Sequence, residues 1–332
     1  MKRRDFLLGA ALVPVGLQVR QQPAKVQYDS IQWLDERQDP SVTLETEGLV
    51  AKIIDNTGLK TREGDPWMKQ EYSHYLGYHG IRALWHKEER RNIVAPFFSW
   101  LNLQSLRVEG LELDPVDFRS RFGVGRGWPI RLFREGTKTT LHLPRMPLSG
   151  VEYRLTLWPS APDAIDFEVE FRLHRKVRDR AAFGASWPCY MSTYDEVALY
   201  APTGEPHRPV WREFGERESF VVGEAVGYVH RQRTFRPDWP VAFPAVYGRI
   251  GGFVLAMMVN RPEVSFFVVN AGGHRSFLPV QNPAWDFSFQ LPDYNRGEAF
   301  GYRGRLLYRP WTHHVEITER YFEWKRTLAQ PV

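Results

Sequence analysis

Cysteine is almost missing from this 332-residue chain: Cys189 stands alone. That excludes an internal disulfide and any cysteine-built zinc or iron–sulfur cage. Nor is there a run of about 18 uninterrupted apolar residues, so no spanning helix is predicted. Catalytic signatures are equally scarce. No GxSxG, HExxH or EF-hand pattern occurs, and Gly272-Gly273 is followed by neither GxGxxG nor a Walker lysine, so it is not a phosphate loop. Cys189 itself, between aromatic neighbours and with no local cation, reads as a buried inert thiol. With 43% hydrophobic and 25% charged residues the chain is too apolar for intrinsic disorder. What it has in plenty is aromatic side chains, 21 Phe, 14 Tyr and 12 Trp, which can fill a core or grip an apolar ligand face.

The opening Met1-Lys2-Arg3-Arg4-Asp5-Phe6-Leu7-Leu8, followed by a short apolar stretch to about Leu17, reads as an export signal. Arg3-Arg4 before Phe6-Leu7 resembles the bacterial twin-arginine signal, which implies a periplasmic or secreted protein. Gln22-Pro23-Ala24 is the nearest approach to a cleavage site, so residues 1–24 are read as the signal and 25–40 as a linker. No lipobox cysteine suggests a lipid anchor. Residues 1–24 hold Lys2, Arg3, Arg4, Arg20 and Asp5; without them 40 basic residues face 38 acidic ones, a net of +2 in place of +5. The basic pI is therefore no nucleic-acid footprint, and no nucleic-acid partner is expected.

Through the body of the chain, period-two alternation dominates. Residues 164–173 put Ile165, Phe167, Val169, Phe171 and Leu173 on one face and Asp166, Glu168, Glu170 and Arg172 on the other. Residues 151–157 alternate Val151, Tyr153, Leu155 and Leu157 against Glu152, Arg154 and Thr156. One apolar and one wet face is the mark of an antiparallel strand. Similar runs are predicted at 41–54, 105–113, 130–143, 196–201, 218–230, 243–259, 264–270, 285–291, 301–308 and 315–324, with Gly, Pro, Asn or Asp in most gaps. Residues 65–93 could carry one helix or an irregular excursion, and 206–217 a short turn. No fixed-period repeat and no linker divides residues 41–326. The expectation is one all-β domain, a large antiparallel β-sandwich with few short helices.

Four stretches could carry chemistry. Residues 71–86 gather His74, His79 and His86 among ring side chains, with Arg82 and Trp85 alongside. Imidazoles move protons near neutral pH, and rings stack on sugar faces. His74 and His79 are five apart and His86 would share a strand face with Glu88, but neither spacing is specific to a metal, so none is expected. Residues 183–195 form a strand carrying Trp187, Tyr190 and Met191, with Tyr194 as a possible proton donor or base before Asp195. Residues 230–239 offer His230 and Arg231, whose fork suits a carboxylate; in a strand the two would face opposite ways. Lastly Gly272-Gly273 turns the chain toward His274, and Trp285 followed by Asp286 sets a ring beside a carboxylate, with Glu298 further on. For each stretch, packing in the core or on a solvated face is the competing interpretation.

An exported chain of this length, with many antiparallel strands and scattered His, Tyr, Trp and Arg, resembles the galactose-mutarotase-like supersandwich proteins over residues 40–326. That group includes sugar epimerases and the sandwich parts of polysaccharide lyases and glycosidases. The epimerases' Asn-His-Tyr-Phe-Asn run is absent, and no motif places their glutamate, although Glu298 is in the part of the chain where the resemblance would look for it. The expected function is a carbohydrate-active enzyme, lyase-like or hydrolase-like, on an acidic glycan and without a cofactor. His79, His74, Tyr194 and His274 would be the catalytic candidates. Arg82, Trp85, Trp187, Tyr190, His230, Arg231, Trp285, Asp286 and Glu298 would contact substrate. A His/Glu sugar epimerase and a noncatalytic glycan-binding protein are the alternatives.

Overall fold

The computed structural model describes residues 41–55, 79–94, 101, 105–108, 130–145, 150–174, 183–187, 191, 199–206, 208–214, 218–221, 234–235, 241–260, 265–271, 283–291 and 299–329. In chain order the strands are β1 (Ser41–Glu45), β2 (Leu49–Ile54), β3 (Gly80–His86), β4 (Ser105–Val108), β5 (Arg131–Glu135), β6 (Lys138–Leu143), β7 (Val151–Ala161), β8 (Ala164–Leu173) and β9 (Phe183–Trp187). They continue with β10 (Leu199–Glu205), β11 (Arg208–Phe214), β12 (Glu218–Val221), β13 (Thr234–Phe235), β14 (Ala245–Ile250), β15 (Phe253–Val259), β16 (Ser265–Ala271), β17 (Pro283–Leu291) and β18 (Ala299–Pro310). One helix, α1 (His314–Leu328), follows.

The strands form a three-stranded sheet β1-β2-β3, a nine-stranded sheet β11-β10-β14-β15-β18-β8-β7-β6-β5 and a six-stranded sheet β13-β12-β16-β17-β9-β4. Every pairing is antiparallel except β12 with β13. The all-β sandwich expected from alternation is the architecture found.

The nine-stranded sheet organises the core. Its inner face contributes Tyr153, Leu155, Leu157, Phe167, Val169, Phe171, Leu255, Met257 and Leu306 to a cluster shared with Leu49, Ala51, Ile53, Ile81 and Leu84 of the small sheet. Its outer face, under α1, contributes Ala164, Tyr247, Val254, Ala256, Met258 and Leu307 to a second cluster with Ile317, Tyr321 and Trp324. That is why β15 reads Phe-Val-Leu-Ala-Met-Met-Val with no polar alternate: both of its faces are covered. The β14–β15 hairpin closes through Gly251-Gly252, with Gly251 at φ +60° between the partners Ile250 and Phe253. Only glycine adopts that backbone without cost in a two-residue hairpin. The small sheet is tied on where Gly48 N and Thr46 Oγ1 both donate to Pro162 O, at 2.6 and 2.5 Å, in the β7–β8 turn.

Three local expectations need correction. Residues 315–324, read as a strand, form most of α1. Val315 and Ile317 begin as if alternating, but Ile317, Tyr321 and Trp324 recur at helical spacing and are the buried set. The His313 side chain accepts from Glu316 N at the first turn, while Lys325 and Arg326 sit in the last, matching the helix dipole. Within 65–93, residues 80–86 are strand β3, not helix. The turn expected in 206–217 gives way to β11, which pairs with β10 along its whole length.

Candidate functional site

Of the residues singled out from sequence, His79, Arg82 and Trp85 lie on or beside β3. His79 has no exposed surface, and its ring stacks on Tyr153 of β7 at 5.9 Å between centroids. Its Nε2 and the Tyr153 hydroxyl are hydrogen-bonded. Burial pushes the Tyr153 phenol well above the ordinary tyrosine range, so that hydroxyl stays protonated. Arg82 is 7% exposed and Trp85 is half-buried opposite Val50 of β2. His86, at the end of the same strand, packs on Phe253 at 4.9 Å, and its Nδ1 accepts from Glu88 N at 3.3 Å. Close by, Tyr308 donates to Glu89 Oε2 at 2.5 Å, and Glu89 pairs with Arg91 at 2.6 Å. His79 thus sits in the seam between the small sheet and the nine-stranded sheet, whereas Trp85 falls on the other face of the small sheet from Leu84. A fully enclosed imidazole joins the two sheets; it offers solvent no proton acceptor.

The six-stranded sheet brings a different set of positions together, by backbone register. Trp187 of β9 is the partner of Phe287 of β17, and Phe287 is the partner of Phe267 of β16. With the period of two, Trp187, Trp285, Phe287, Phe289 and Phe267 belong to one face. The other face takes Asp286, Ser288 and Gln290 of β17. Ser288 pairs with Ser186 of β9, and Ser186 with Ser105 of β4; Gln290 pairs with Gly184, and Gly184 with Arg107. The register therefore sets a row of three serine positions beside a Gln–Gly–Arg row, with Asp286 one step along on the central strand. Trp285 and Asp286, adjacent in sequence, fall on opposite faces, whereas Trp187 and Trp285 share one. The polar positions run across β17, β9 and β4; on β16 the same face continues with Phe266 opposite Ser288 and Val268 opposite Asp286. Hydroxyls and amides suit sugar hydroxyls, and a guanidinium suits a carboxylate.

Sequence inspection missed Arg107, Ser105, Ser186, Ser288 and Gln290. The signal was present in the alternation Trp-Asp-Phe-Ser-Phe-Gln of 285–290, but the register that adds Ser186 and Arg107 is not written in any one segment. His74, Tyr190, Tyr194, His230, Arg231, His274 and Glu298 lie outside the described residues.

A second cluster, also missed, occupies the outer face of the nine-stranded sheet. Glu152 of β7 accepts from His142 Nε2 of β6 at 2.9 Å and from His174 Nε2, just past β8, at 2.6 Å. All three are partly buried. Burial alone would raise the Glu152 carboxyl, but the hydrogen bonds from His174 and His142 outweigh it and hold the group below its usual range. A carboxyl lowered on folding adds stability above its unfolded pKa, and that stability is lost as pH falls through the folded value. The acid unfolding of the protein should therefore steepen below about pH 4.5, and Glu152→Gln should flatten that limb. Urea midpoints measured from pH 6 to pH 3 check this; parallel curves for the two proteins would remove Glu152 as the source.

Among the described residues no group of three or more His, Cys, Asp or Glu is arranged to hold a metal ion, and no helix is long and apolar enough to cross a membrane.

No protein-family model matches the chain, and no curated protein matches it by sequence. Solved structures do match in fold. A putative aldose 1-epimerase from Escherichia coli K12 superposes with a TM-score of 0.50 at 11% identity, covering 82% of this chain and 99% of that one. Galactose 1-epimerase from Lactobacillus acidophilus NCFM gives 0.45 at 12% identity, covering 82% and 95%. A heparan sulfate lyase, a HepC mutant from Pedobacter heparinus, gives 0.42 at 10%, covering 82% of this chain and 37% of that one. The fold is thus a β-sandwich like those of the galactose-mutarotase-like proteins.

Proposed function

We propose that the chain is an exported carbohydrate-active enzyme that works on an acidic glycan at the polar face of the six-stranded sheet. The observation that carries this reading is the register that assembles Asp286, Ser288, Gln290, Ser186, Ser105 and Arg107 on one face. In that arrangement the Ser and Gln positions hold sugar hydroxyls, and Arg107 neutralises a uronate carboxylate. Neutralising that group acidifies the adjacent carbon-bound proton and stabilises the enolate-like state of β-elimination. Asp286 orients the proton-transfer group or acts as the base itself. His79, enclosed against Tyr153, is left with a structural part; His74, Tyr194 and His274 are the remaining candidates for the proton-transfer group. Trp187 and Trp285, by register on the opposite face, are assigned no substrate contact.

Epimerisation of a free sugar is the second reading. What favours it is that an aldose 1-epimerase fold covers 82% of this chain and is itself covered almost end to end.

One experiment separates them. Protein recovered from the periplasmic fraction is given a uronate polymer, a neutral polymer and a single anomer of a free aldose. Ultraviolet absorbance of an unsaturated uronate marks elimination, new reducing ends without it mark hydrolysis, and accelerated loss of optical rotation marks epimerisation. Asp286→Ala should lower whichever turnover is seen by roughly ten- to a hundred-fold with the melting transition unchanged. Binding without turnover on all three would overturn the enzymatic reading, and absence from both the periplasm and the culture medium would overturn export.

A further inference from the structure

The outer face of the nine-stranded sheet is covered by α1 over β14, β15 and β18, but the helix does not extend to the β5 edge. There Arg131 of β5 and Arg154 of β7 are both register partners of His142 of β6, so three basic positions form one row across the strands. Both arginines are exposed, and among the described residues neither is ion-paired with a carboxylate. Glu152 is engaged by the two imidazoles; Glu170, the register partner of Arg154 at the far end of the row, pairs with Arg172 at 3.6 Å. Beside this row stands Phe133, 45% exposed, its ring 6.1 Å from that of His142. A single exposed ring is ordinary by itself, but this one offers an apolar face directly beside the basic row.

We propose that this edge of the outer face is a docking surface for an acidic polysaccharide, held by Arg131 and Arg154 with Phe133 as the stacking ring. Arginine forks match carboxylates in two parallel hydrogen bonds. The two arginines lie two strands apart, about 10 Å at Cα. They address acidic groups on separate sugar units, which calls for a polymer and not a monosaccharide. A nucleic acid carries a charge roughly every 1.7 Å along its axis and would also meet Glu135, Glu152 and Glu170. A polymer with spaced carboxylates and apolar ring faces avoids them. The surface is distinct from the polar face of the six-stranded sheet, so it would hold polymer while chemistry proceeds elsewhere.

The test uses the full chain and polygalacturonate, with dextran and a DNA duplex as comparisons, in affinity electrophoresis at two salt concentrations. Polygalacturonate should retard the protein, more at low salt, and dextran should not. Arg131→Gln with Arg154→Gln should weaken that binding about ten-fold or more, Phe133→Ala should weaken it less, and the double lysine variant should keep most of it. Turnover of a short soluble substrate should be unchanged in all of them. Unchanged polymer binding in the double glutamine variant, or tighter binding to DNA than to polygalacturonate, overturns the proposal. So does aggregation of that variant with its polymer binding intact, which would make the arginines guards of the sheet edge. Unchanged turnover in Asp286→Ala, with docking preserved, would count against the catalytic reading alone.

Discussion

Asp166→Ala should destabilise the protein by about 3–5 kcal/mol, as expected when one partner of a buried ion pair is removed. Asp166 of β8 and Arg305 of β18 are cross-strand partners on the outer face. Arg305 Nε donates to Oδ1 at 2.6 Å and Nη2 to Oδ2 at 3.0 Å, a two-pronged pair whose side chains are only 10% and 12% exposed. Nη2 also reaches Ser160 Oγ at 3.3 Å, and the guanidinium lies 5.9 Å from the Trp324 ring of α1. The charge is thus enclosed where helix meets sheet. Without the carboxylate, the guanidinium keeps its desolvation cost and loses its main compensation. The same argument predicts that Asp166→Leu combined with Arg305→Met is much less damaging than either change alone, because no stranded charge remains. Urea unfolding of the two single variants and the double gives the answer; additive losses would mean the pair is not coupled.

Gly304→Ala is expected to cost about 1–3 kcal/mol, and Gly304→Leu to prevent folding, for a steric reason. Gly304 of β18 is the register partner of Phe167 of β8. A Cβ placed on Gly304 would lie 2.5 Å from Phe167 Cε1 and 2.8 Å from Cε2. The Phe167 ring is 1% exposed and stands edge-on to Tyr302 at 6.2 Å, so it has little room to withdraw. The glycine is there because the phenylalanine lies across it. Phe167→Leu should therefore recover part of what Gly304→Ala loses, a sign of coupling that a double-mutant cycle measures directly. If the leucine makes the alanine variant worse, the clash is not the cause.

How much of this could be read in advance follows one rule. Where a strand has one wet face, its sequence states its fold: Val151, Tyr153, Leu155 and Leu157 were assigned to the core by spacing alone, and all are buried. Where a segment is covered on one side by something distant in sequence, the pattern misleads. Residues 315–324 alternate for their first residues and then turn helical, because α1 buries Ile317, Tyr321 and Trp324, with Phe322 and Leu328 packed beside them, onto a sheet that it meets last. His79 has the look of a proton carrier among rings. That its neighbour is Tyr153, 74 residues away and wholly enclosed, no local pattern contains.

The chain by itself determined which face of each alternating strand turns inward, since transfer of apolar side chains from water needs only the period of two to choose a face. It likewise determined which residues could carry acid–base chemistry. Tertiary structure alone decided which of them meet: that Glu152 is shared by His142 and His174, and that Ser105, Ser186 and Ser288 fall in line. Pairing partners are chosen by the sheet as a whole, and shifting one strand by one residue would exchange every one of these faces.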